Sequence, residues 1–235
     1  MKLFEKKVLA SEKLEHFPPS QNVFDNYFQK DIFGMSPQTL IVELTWCNPR
    51  DLVLLFGAAA TAADHDRYFG EQVLSRVLDK FSTDAWLEKT EELNVEYPSV
   101  EIQSIKKILL NFRRYFKLTQ FHDEGKRKAT NDQNVMSFIK RRNLAKVLED
   151  LYRIGIIGQS SKEPVETARS LRQFKEHWAY RGDENFDPNA WMIVHRALWP
   201  DLRLGRISAN RGTEPIFIST DSTSGNANSR TRRRF

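Results

Sequence analysis

Over residues 144–158 the spacing of apolar side chains changes character within a single residue. Leu144, Val147, Leu148 and Leu151 recur at three- and four-residue steps, which lines one face of a helix. Arg153-Ile154-Gly155-Ile156-Ile157-Gly158 then follows, with Gly155 as the helix stop and an apolar run too short for another helix. A helix is thus carried directly into a short strand, and both can pack on one small core.

The flanking segments extend this pattern. Ile102, Ile105, Ile108, Leu109, Phe112 and Phe116 predict one long amphipathic helix over 99–121, followed by a polar, Gly125-containing loop over 122–134. Residues 174–180 alternate bulky and small or polar side chains before the turn Arg181-Gly182-Asp183, as a strand does. Trp191 to Trp199 reads as a strand, alone or leading into a short helix. Upstream, Asn48-Pro49 ends one helix and starts another, because proline suits the first helical turn and asparagine caps it. Ser82-Thr83 predicts a further helix start at Asp84. The expected fold is mainly α: a helical lid-like bundle followed by a winged helix with a small β-hairpin. The expected division is an N-terminal extension over 1–38, the lid-like domain over 39–97, the winged-helix domain over 98–204 and a disordered basic tail over 205–235. The Ser-, Thr-, Asn- and Gly-rich composition of 219–229 supports the last of these.

The net charge of +5 is concentrated in two places. From Gly205 onward, six arginines stand against Glu214 and Asp221. Between Glu124 and Arg153, eight cations stand against Glu124, Asp132, Glu149 and Asp150. The remaining body is therefore slightly acidic, and the second stretch is a local basic patch. In a winged helix its members Lys126, Arg127, Lys128, Lys140, Arg141, Arg142 and Lys146 are candidates to meet DNA phosphates, with Arg181 beside them; Trp178 and Tyr180 could stack on exposed bases from the wing, although the tryptophans read more readily as core. Glu149 and Asp150 repel phosphate from the middle of the last helix, which argues for packing or protein contact instead.

Trp46-Cys47-Asn48-Pro49-Arg50-Asp51 resembles the Trp-x-x-Pro-Arg-Asp element in the helical lid of bacterial AAA-like P-loop ATPases. The resemblance continues through Asp150 to Gly158, Trp178 to Asp183 and Val194 to Trp199, and covers about residues 20 to 204. Together these look like the C-terminal lid-plus-winged-helix part of such ATPases, including the FunZ-type proteins. The resemblance implies that Arg50 occupies the sensor 2 position, from which a guanidinium reaches nucleotide phosphates. The sequence departs from the family in one respect: it contains no Gly-x-x-x-x-Gly-Lys-Ser/Thr phosphate loop. ATP therefore enters only if a partner chain supplies it, and the chain reads as a non-catalytic regulatory or interaction module for a P-loop ATPase subunit or DNA. A remnant of a longer ATPase gives the same pattern. The structural alternative for Arg50 is an ion pair with Asp51 or another neighbouring carboxylate.

Other chemistry has thinner support. His177, Asp183 and His195 could form a metal-dependent nuclease site if their segments meet, although histidines among aromatic residues more often serve packing. Cys47 is the one cysteine, so neither an internal disulfide nor a cysteine-based zinc cluster is available, and no Gly-x-Ser-x-Gly elbow occurs. No apolar window approaches the roughly 18 residues of a membrane span, and the charged start Met1 to Lys7 is unlike a signal peptide. The expected location is cytoplasmic, with no membrane partner.

Overall fold

The computed structural model describes residues 2–15, 21–62, 68–162, 176–183 and 185–204, together with the backbone of 206–207 and 217–218. Helices α1 (Lys2–Leu14), α2 (Val23–Tyr27), α3 (Pro37–Leu44), α4 (Pro49–Ala62) and α5 (Glu71–Glu91) form the first half. The second half runs α6 (Ser99–Leu109), β1 (Tyr115–Phe116), α7 (Leu118–Ala129), α8 (Gln133–Arg141), α9 (Leu144–Arg153), β2 (Ile157–Ser160), β3 (Glu176–His177) and β4 (Trp191–Val194). The four strands make one antiparallel sheet in the order β1-β4-β2-β3, with Gly158 opposite Ile193 and Gln159 opposite His177. The protein is thus mainly helical with a small sheet. The expected disordered tail lies outside the described residues, except that β5 (Arg206–Ile207) pairs with β6 (Phe217–Ile218). Among the described residues, no helix is long and apolar enough to cross a membrane.

The boundary at Asn48-Pro49 forms as the sequence predicts: the Asn48 side chain accepts from the Arg50 N–H at 3.0 Å, and α4 begins at Pro49. The step from α9 to β2 forms as well, with Gly155 at φ +80° ending the helix. Buried side chains of 39–97 and 98–204 belong to one continuous apolar cluster, from Phe24 through Trp86 and Leu148 to Leu204.

Four expectations are corrected. The stripe over 99–121 is not one helix: α6 stops at Leu109, Asn111 adopts φ +56°, and its N–H is held by the Leu202 carbonyl at 2.8 Å. Phe116 keeps its buried place as a strand residue, paired with Met192. Most of the expected loop over 122–134 is helix α7, in which Gly125 permits close approach: a Cβ there would lie 3.2 Å from Ile139. Ser82 and Thr83 start no helix but lie within α5, where the Ser82 hydroxyl accepts from the Asp201 N–H and Thr83 donates to the Asp79 carbonyl. The strand expected over 174–180 does not continue to its end: Glu176–His177 is strand, but Ala179–Arg181 is a 3-10 turn, while Phe174 and Lys175 lie outside the described residues.

Candidate functional site

The separate sequence motifs meet at one junction. Thr45 caps the end of α3, and a turn through Trp46 and Cys47, the latter at φ +57°, leads to α4. This turn is fixed from inside. The Asp51 carboxylate accepts from the Trp46 N–H at 2.9 Å, and burial raises its pKa while that hydrogen bond opposes the rise. The Trp46 indole N–H donates to the Gly155 carbonyl at 2.7 Å, tying the turn to the end of α9. The Trp46 ring stacks on His195 with centroids 3.9 Å apart and an interplanar angle of 14°, and Lys89 from α5 lies 4.8 Å above the same ring.

His195 is enclosed by aromatic rings, with Trp178 and Tyr180 in edge-to-face contact at centroid separations of 5.1 and 5.9 Å. Its pKa is held well below the usual imidazole value by burial, reinforced by the charges of Arg196, Arg181 and Lys89. The ring is therefore neutral. Its Nδ1 accepts from the Ala197 N–H at 3.3 Å, which leaves the proton on Nε2, facing the Tyr180 hydroxyl at 3.4 Å. Beside it, the buried Arg196 pairs with Glu43 of α3 and, at 3.0 Å, with Glu176 of β3. The carboxylates clamp the strand onto the helical half and satisfy a charge that burial alone would penalise.

Arg50 does not pair with Asp51. It meets Glu88 of α5 at 3.2 Å, and its side chain remains 67% exposed. Trp178 packs its indole over Gly158, where a Cβ would come within 2.6 Å, and so is not presented to solvent for stacking on bases. Tyr180 is half-buried, and the Arg181 guanidinium covers its ring at 5.4 Å. His177 pairs with Asp183, whose backbone carbonyl accepts from the Tyr152 hydroxyl at 2.7 Å. His195 faces the other aromatic groups, and no set of three or more His, Cys, Asp or Glu among the described residues is placed to hold a metal ion.

The basic stretch is largely paired within the fold. Arg141 and Arg142 share the buried Glu101 of α6 at 3.1 and 2.7 Å, and Arg142 also covers the Tyr97 ring at 4.8 Å. Arg127 and Lys128 share Glu124 at 2.6 and 3.4 Å. Lys146 meets Glu149 and Asp150, both at 3.2 Å. Asp150 is itself buried and accepts from the Tyr97 hydroxyl at 2.7 Å. Lys126 and Lys140 are exposed and have no carboxylate partner among the described residues.

Sequence reasoning missed Glu43, Glu88, Glu101 and Glu176, the carboxylates that hold Arg50, Arg141, Arg142 and Arg196. Each is distant in sequence from its partner, and nothing in local spacing marks it. Comparison with known protein families, curated proteins and solved structures finds no match for this chain.

Proposed function

We propose that this chain is a non-catalytic interaction module that acts with a P-loop nucleotide-binding partner, its lid-like helical half joined to a winged-helix half. The observation that carries the reading is the bond from the Trp46 indole to the Gly155 carbonyl, which makes the Arg50-bearing turn and the α9–β2 step one mechanical piece. Arg50 supports it too: a guanidinium held by one carboxylate and mostly in solvent is free to exchange that partner for a phosphate. The strand order β1-β4-β2 behind α6, α8 and α9 supports a winged helix for the second half. Movement at Arg50 would reach the sheet through Trp46 and His195. Co-expression with a P-loop ATPase polypeptide drawn from the neighbouring genes of the same genome tests the reading. Co-purification, with ATP turnover that falls on Arg50→Ala, is the expected result; two chains that fail to associate overturn it.

A second reading, contact with nucleic-acid phosphates, is favoured by Lys126 and Lys140, which are exposed and have no carboxylate partner among the described residues. Fluorescence anisotropy with labelled duplex tests it. Affinity that falls steeply with added salt supports it, and absence of binding at low salt removes it.

A further inference from the structure

The charge gathered between Glu124 and Arg153 divides unevenly over the folded surface. Around α9, Lys146 and Arg153 face Glu96, Glu149 and Asp150 at 2.9 to 3.6 Å, so two cations meet three anions. Around the α7–α8 hairpin the balance reverses. Lys126 to Lys128, Lys140 to Arg142 and the neighbouring Lys107 stand against Glu101, Asp123, Glu124 and Asp132, seven cations to four anions. Glu101 and Glu124 each serve two cations, so neither neutralises its group.

Among the described residues, Lys126 of α7 and Lys140 of α8 are exposed and have no carboxylate partner. Gly125 and Ile139 mark the point where α7 and α8 touch, and Lys126 and Lys140 each follow that point by one residue. The helices are joined by the short connection 130–132 and pack extensively on each other.

We infer that this α7–α8 face, and not α9, is the surface that takes the phosphate backbone of duplex DNA; the inference rests on the nucleic-acid reading above. A duplex fits better than a single strand, which relies on exposed aromatic rings for stacking. Here Phe121, Phe138 and Trp178 are buried and Tyr180 lies under Arg181. Contact of this kind positions a duplex without reading its bases.

Anisotropy titrations of a labelled duplex against the full chain test the surface. The paired chain with Arg230, Arg232, Arg233 and Arg234 all changed to Ala removes any contribution from the terminal arginines. Three neutralised phosphates give a slope of log K against log salt of about −3. On both backgrounds, Lys126→Glu with Lys140→Glu is expected to weaken binding about tenfold or more near 50 mM salt, while Lys146→Ala with Arg153→Ala changes it less than about twofold. All four side chains are exposed, and circular dichroism confirms the fold of each variant. Equal binding by wild type and the Lys126/Lys140 variant, greater loss in the Lys146/Arg153 variant, or binding abolished by the terminal changes alone each overturns the inference. Absence of binding by the wild type overturns the nucleic-acid reading itself.

Discussion

Trp46 donates its indole N–H to the carbonyl of Gly155, a residue 109 positions further along the chain, at 2.7 Å. Both groups are buried, so loss of the donor leaves a carbonyl without a partner where water does not reach. Trp46→Phe keeps an aromatic ring over His195 but removes that donor, and is expected to cost about 1–3 kcal/mol. Trp46→Ala also opens a cavity and costs about 3–5 kcal/mol. Urea unfolding followed by circular dichroism measures both; a Trp46→Phe protein as stable as wild type would show that the bond contributes nothing.

Three glycines should respond differently to the same added methyl group. Gly158→Ala places a Cβ 2.6 Å from the Trp178 indole, and the forced shift costs about 1–3 kcal/mol. Gly155→Ala meets Trp46 at 2.8 Å and must also hold φ +80°, so its loss should equal or exceed that of Gly158→Ala. Gly57→Ala, within α4 and with open space around it, is expected to stabilise by about 0.5–1 kcal/mol. Melting temperatures of the three variants give the order directly.

Stability should depend on pH through His195. Its folded pKa lies well below the unfolded value of about 6.5, so below that pH the unfolded chain binds a proton that the folded chain refuses. The unfolded state is then favoured. Stability is complete above about pH 6.5 and falls as pH drops toward the folded pKa, with a limiting slope of about 1.4 kcal/mol per pH unit. His195→Gln should remove this component of the slope between pH 6.5 and 5. Denaturant midpoints across that range decide it, and an unchanged slope in the variant would place the proton elsewhere.

Glu101 is buried and serves two arginines. Glu101→Gln leaves Arg141 and Arg142 without their carboxylate, and a loss of about 1–3 kcal/mol is expected. The same change adds one positive charge beside the α7–α8 hairpin. A chemical-denaturation midpoint equal to that of wild type would show that solvent serves the two guanidinium groups as well as Glu101 does.

Local chemistry made parts of this structure readable. Asn48-Pro49 announced the start of α4 because capping and the fixed proline φ act within one turn, and Gly155 announced the end of α9 for a similar reason. The break after Leu109 was hidden: Phe112 and Phe116 fall at helical spacing from Ile108, yet Phe116 is buried by pairing with β4. What breaks the helix is a bond from Asn111 to the Leu202 carbonyl, far along the chain. The basic patch misled in a related way. Counting charge within one window omitted Glu101, which lies outside it and holds two of its arginines. The meeting of Trp46 with Trp178, Tyr180 and His195 was equally unreadable, since Trp46 precedes the other three by more than a hundred residues.

The unbroken interior shared by 39–97 and 98–204 has a practical meaning for anyone dividing the molecule. A cut between 97 and 98 would strip Trp86 and Leu93 from one fragment and Ile105 and Leu148 from the other of their opposite walls. Neither fragment is expected to stay monodisperse by itself. Expressed together they should recombine, as complementing pieces do.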